Sequence, residues 1–81
     1  MRIEVKVPEL GEDGPKEASI SFWMFEVGDR VSEGEDLVEL VTDKASFTVS
    51  APAAGRLAEV LVGEGDKVAP GDLLAVMETD G

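Results

Sequence analysis

The stretch Gly28-Asp29-Arg30-Val31 returns 37 positions later as Gly65-Asp66-Lys67-Val68. Reading outward from the pair, the register does not break. Gly34 lines up with Gly71, Leu37 with Leu74, Leu40 with Met77, and Thr42-Asp43 with Thr79-Asp80. Upstream, Ile20 lines up with Leu57 and Phe25 with Val62. Each copy runs strand, Gly-Asp turn, valine, glycine turn, strand. A repeat of this kind is one supersecondary unit that cannot bury its apolar face alone.

The apolar residues follow the strand period. Ile3, Val5 and Val7 alternate with charged residues, and so do the apolar positions of 37–42, 47–51 and 57–62. Glycines at 28, 34, 55, 63, 65 and 71 separate the runs and suit tight turns. No segment sustains a helical period. Turn signals this closely spaced indicate a sandwich or barrel. Ile20, Trp23 and Phe25 break strict alternation, and their mates Leu57, Val60 and Val62 break it at the same point. If all six face inward, each strand carries one extra residue, a β-bulge.

The expected fold is therefore all-β. It is a flattened barrel or sandwich of two four-stranded antiparallel sheets, with an internal pseudo-two-fold axis. The expected core is Val5, Val7, Ile20, Phe25, Val31, Leu37, Leu40, Val49, Leu57, Val62, Val68 and Leu74. The polar segment from Pro8 to Lys16 holds two glycines and two prolines and is expected to be an exposed loop.

Composition narrows the chemistry. The 81 residues suffice for one domain, 1–81, with one thin core and no deep cleft. Without cysteine or histidine the chain has no disulfide, no thiolate nucleophile and no imidazole base. Hydrolase chemistry of the nucleophile–base kind cannot be assembled. Glu33, Glu35 and Asp36 lack the alternating pattern of a calcium loop and read as a solvated turn. The glycines precede no helix, so no phosphate-binding fingerprint exists. Trp23 reads as core. A net charge of −11 repels nucleic acid and anionic membrane, so neither is an expected partner. No apolar run has the length of a membrane helix, and MRIEVKVPEL lacks the pattern of a signal peptide.

One residue remains for chemistry. In the first copy the chain passes from Thr42-Asp43 through Lys44-Ala45 directly into the next strand, so Asp43-Lys44 is the tip of a hairpin. Lys44 is the only basic residue between Arg30 and Arg56. A lysine there projects an amine into solvent from a rigid support. Position alone fits an attachment point, but it fits an ordinary turn lysine better.

The local sequence separates these readings. Glu39-Leu40-Val41-Thr42-Asp43-Lys44-Ala45 resembles the lipoyl attachment motif of 2-oxo acid dehydrogenase acyltransferases, centred on Asp-Lys-Ala. Val7-Pro8-Glu9-Leu10-Gly11-Glu12, Val27-Gly28-Asp29-Arg30-Val31 and Ala51-Pro52-Ala53-Ala54-Gly55 are similar to the family's flanking segments. So are the Gly65-Asp66-Lys67-Val68 and Gly71-Asp72-Leu73-Leu74 stretches, so the resemblance covers nearly the whole chain. Val41 and Ser50 depart from the commonest pattern, as does the segment Gly11 to Glu17.

The resemblance implies a lipoyl domain, a non-catalytic carrier. Lipoic acid would be joined covalently to Lys44, flanked by Asp43 and Ala45, and would act as a swinging arm for acyl groups and electrons. A lipoate ligase or a lipoyl/octanoyl transferase would attach it. The arm would then visit a thiamin-dependent 2-oxo acid decarboxylase, an acyltransferase core and a dihydrolipoamide dehydrogenase. The chain would be one module cut from a longer dihydrolipoamide acyltransferase. Its location would be the cytoplasm, or the mitochondrial matrix in a eukaryote. In the family the segment between Pro8 and Lys16 lies beside the lysine tip. The alternative is the related biotinyl carrier domain of biotin-dependent carboxylases. Its lysine is usually flanked by methionines, which Asp43 and Ala45 are not. The lysine-free form of the fold in efflux-pump membrane-fusion proteins is disfavoured by the intact Asp-Lys-Ala tip.

Overall fold

The structure is a computed structural model that describes residues 1–9 and 17–79. The described residues form eight strands. They are β1 (Arg2–Lys6), β2 (Ala18–Trp23), β3 (Arg30–Val31), β4 (Asp36–Val41), β5 (Ser46–Ser50), β6 (Gly55–Val60), β7 (Lys67–Val68) and β8 (Leu73–Thr79). One antiparallel sheet runs β1-β8-β6-β3 and the other β5-β4-β2-β7. Each sheet thus takes strands from both copies of the repeat, and the two halves interlock.

Hydrogen bonds show how the Gly-Asp turns serve this interlocking. Gly28 N–H donates to the Leu57 carbonyl at 2.8 Å, and its mate Gly65 N–H donates to the Ile20 carbonyl at 2.9 Å. Both glycines are left-handed, at φ +97° and +88°, a region that costs glycine little. The following aspartates cap the turns. Asp29 Oδ2 accepts the Glu26 N–H and Asp66 Oδ2 the Gly63 N–H, each at 2.8 Å. The valine that ends each signature, Val31 or Val68, is buried.

The bulges fall where the sequence places them. The register shifts between Ile20 and Phe22 on β2 and between Leu57 and Glu59 on β6. Trp23 and Val60 then pack against the core. A second pair of irregularities was not expected. The register also shifts between Asp36 and Val38 on β4, and on β8 where Val5 and Lys6 pair with Ala75 and Leu73. The extra residues are Leu37 and Leu74, so Leu37-Val38 and Leu74-Ala75 face inward as adjacent pairs.

Ten of the twelve expected core residues are buried. Phe25 and Val62 are only partly so and lie against the margin of the core. There the Trp23 indole N–H donates to the Val62 carbonyl at 2.9 Å, a polar contact that belongs at a rim. The core also takes in Ala18, Val38, Ala51, Ala75 and Met77.

The first strands of the two halves follow a different offset. Gly34 N–H donates to the Ala51 carbonyl and Gly71 N–H to the Val7 carbonyl, so Val7 matches Ala51, 44 positions on. The chain from Val7 to Ala18 is therefore seven residues longer than its counterpart from Ala51 to Gly55. The excess falls in the segment set apart as a loop in the sequence. Of that segment Pro8 and Glu9 are exposed, and the expectation for 10–16 lies outside the described residues, as does its expected place beside the tip.

Candidate functional site

Strands β4 and β5 pair from Asp36↔Ser50 to Val41↔Ser46 and form the hairpin that carries Lys44. Its base is fixed because Leu37, Val38 and Leu40 on β4 are fully buried and Val49 on β5 nearly so. Its tip is solvent: Asp43, Lys44 and Ala45 are all exposed. Lys44 makes no ion pair among the described residues. The bound cations lie elsewhere, on the other sheet, where Arg2 meets Glu78 at 3.2 Å and Lys6 meets Glu4 at 3.7 Å.

The tip is held from Thr42. Thr42 N–H donates to the Ala45 carbonyl at 2.8 Å. The Thr42 hydroxyl donates to the same carbonyl at 3.1 Å and accepts the N–H groups of Lys44 at 3.2 Å and Ala45 at 3.0 Å. Asp43 and Lys44 both keep negative φ, as do all the described non-glycine residues. Thr79, the repeat mate of Thr42, treats Met1 in the same way. Its N–H and hydroxyl reach the Met1 carbonyl at 2.7 and 2.9 Å. The lysine-bearing turn thus has a structural counterpart that carries no lysine. Sequence reasoning paired the two threonines and missed what they do. The available signal was a hydroxyl residue at the same place in both copies.

Among the described residues the surroundings offer no catalytic apparatus. Beside the tip lies an open groove of about 400 Å³ lined by Glu17, Ala18, Ser19, Val41, Thr42, Asp43 and Lys67. A second, of about 330 Å³, runs between β1 and β5. Neither contains a histidine or cysteine. Among the described residues no cluster of acids could hold a metal ion. In the acidic cluster, Glu35 accepts the Ser32 N–H at 3.0 Å and Asp36 accepts the Ser50 hydroxyl at 3.3 Å, so both are turn and strand fittings. Gly55, in the Pro-x-x-Gly element, is buried where β6 crosses β8, and a Cβ there would overlap the Glu78 carbonyl oxygen.

What this arrangement can do is present an exposed amine at a fixed place on a hairpin tip. The family described as "Biotin-requiring enzyme" matches residues 3–77. The solution structure of the lipoyl domain of the 2-oxoglutarate dehydrogenase complex from Azotobacter vinelandii superposes with a TM-score of 0.77 at 33% identity. The alignment covers 98% of this chain and 99% of that one. The chain belongs to the lipoyl-domain family.

Two curated relatives extend the comparison. The dihydrolipoyllysine-residue succinyltransferase component of the 2-oxoglutarate dehydrogenase complex of Staphylococcus saprophyticus is 49% identical over 74 residues. The dihydrolipoyllysine-residue acetyltransferase component of the pyruvate dehydrogenase complex of Haemophilus influenzae is 40% identical over 79 residues. The matches cover 91% and 98% of this lipoyl domain, but only 17% and 13% of the relatives.

Proposed function

We propose that Lys44 carries lipoate as an amide on Nζ, and that the domain ferries substrate between the active sites of a 2-oxo acid dehydrogenase complex. The observation that carries the reading is the hairpin tip, an exposed lysine amine without an ion-pair partner among the described residues, on a turn held by Thr42. The residues present fit the group. An exposed amine can enter a modifying enzyme, lose a proton there and displace the leaving group of an activated lipoyl acid. The product amide is neutral, so no protein charge has to be left unpaired.

Lipoate supplies the redox-active sulfur that this cysteine-free chain lacks. The chain's own contribution is reach and placement. The buried base of β4 fixes where the arm begins, and tethering raises its effective concentration at each site visited. On this reading the parent chain is a dihydrolipoamide acyltransferase. A lipoate ligase or lipoyl/octanoyl transferase loads the domain, which then serves a thiamin-dependent decarboxylase, the acyltransferase core and dihydrolipoamide dehydrogenase. A cytoplasmic location, or the mitochondrial matrix in a eukaryote, belongs to the same proposal. The test is intact mass after incubation with lipoate ligase, ATP and lipoate. Wild type should gain one lipoyl group and Lys44→Gln none. A gain from biotin ligase alone would reverse the assignment.

A further inference from the structure

Two-residue hairpin turns normally take positive φ at one or both central residues, which matches the twist of the flanking strands. Asp43 and Lys44 do not. Nor does the tip close as a β-turn does, with the Ala45 N–H on the Thr42 carbonyl. That amide goes to the Thr42 hydroxyl instead, at 3.0 Å, and the Lys44 amide joins it at 3.2 Å. One side-chain oxygen therefore replaces the backbone bond that would define the turn. It is also anchored, because the same hydroxyl donates to the Ala45 carbonyl at 3.1 Å.

We propose that Thr42 is the positioning residue for modification of Lys44, its hydroxyl fixing the direction in which the lysine stem leaves the tip. The inference rests on Lys44 being the acceptor of lipoate. Without the hydroxyl, the Lys44 and Ala45 amides are exposed and turn to water, so the loss falls on the order of the tip and not on the core. The modifying enzyme then meets the correct geometry in only a fraction of molecules. A reduced competent fraction weakens apparent affinity in proportion and leaves the bound reaction unchanged. Thr79 supplies an internal control. It makes only the two donations to a carbonyl, that of Met1 at 2.7 and 2.9 Å, on a part of the domain with no lysine to present.

The test compares wild type, Thr42→Val, Thr42→Ser and Thr79→Val as substrates for lipoate ligase. Valine keeps the branched shape and removes the hydroxyl, and serine keeps the hydroxyl. For Thr42→Val, kcat/KM should fall roughly threefold to tenfold, the worth of about one net hydrogen bond. The fall should lie in KM with kcat unchanged. Amide exchange at Lys44 and Ala45, read by NMR, should speed up in the same variant. Thr42→Ser should restore both readouts, and Thr79→Val should leave both at wild-type values. Wild-type KM and exchange in Thr42→Val would overturn the proposal, and so would a serine variant as poor as the valine one. Failure of the underlying reading looks different, because wild type itself would then gain no lipoyl mass.

Discussion

Replacing Gly55 by alanine should destabilise the domain, whereas the same change at Gly63 should not. An added Cβ at Gly55 would overlap the Glu78 carbonyl oxygen and lie 2.9 Å from Thr79 Cα and 3.0 Å from Glu78 C. Comfortable carbon–carbon contact needs about 3.5–4.0 Å. All three neighbours are backbone, so none can swing aside, and β8 would have to recede locally by roughly 1 Å to regain that contact. Overpacking costs about 1–3 kcal/mol, and disturbing the Gly55↔Thr79 pairing adds about 1 kcal/mol for a hydrogen bond. Reduced freedom of the unfolded chain returns only about 0.4–1 kcal/mol. Steric cost wins, with a net loss of about 1–3.6 kcal/mol by these magnitudes. A domain of 81 residues holds only about 4–12 kcal/mol in total. The melting temperature should drop by roughly 4–29 °C. At Gly63 nothing lies within 4 Å and the backbone needs no glycine, so only the entropic gain remains. Its melting temperature should rise by roughly 2–8 °C. Thermal unfolding followed by circular dichroism, with Trp23 fluorescence as a second probe, reads both. A Gly55→Ala protein as stable as wild type would mean that β6 and β8 do not approach this closely.

Other outcomes can be checked alongside. Leu40→Ala, at a fully buried site, should cost about 2–5 kcal/mol in urea unfolding, and a change within error would mean the inward face of β4 is misassigned. Arg2→Ala should cost under about 1 kcal/mol despite two ion pairs, because Arg2 and its partners are more than half exposed, and 1 M salt should shrink even that. Inserting one residue between Asp43 and Lys44 should abolish lipoylation by the ligase while the melting curve stays close to wild type, since the tip contributes nothing to the core.

The repeat made the architecture legible because each turn signature has a local cause. Gly28 and Gly65 take a backbone conformation that few other residues tolerate, and Asp29 and Asp66 cap the turns. The bulges after Ile20 and Leu57 were readable because large apolar residues resumed out of step. The one at Leu37 left the same signal, since Leu37 and Leu40 are three apart and both are expected inward, but it went unread, and so did its mate at Leu74. The offset of the first strands was hidden by unequal connections, which sequence alignment at a single spacing cannot bridge. At the site, the position of Lys44 on a hairpin followed from strand order alone. The role of Thr42 did not, because it depends on which of two oxygens, carbonyl or hydroxyl, the Ala45 amide selects. That choice is made in three dimensions.

The pairing of β1 with β8 has a consequence for synthesis. Arg2 and Glu78 are 76 residues apart in the chain, yet they face each other across the sheet. At roughly 5–20 residues per second, the first strand would leave the ribosome about 4–15 s before its partner is made. Because each sheet draws on both halves, no sheet can be completed from the first half alone. The nascent chain therefore closes late, one sheet waiting for β7 and the other for β8. Until then it carries unpaired strand edges, the usual route to aggregation. Its many carboxylates are already charged in that interval, so neighbouring unfinished chains on a polysome repel one another before any of them has a fold to protect it.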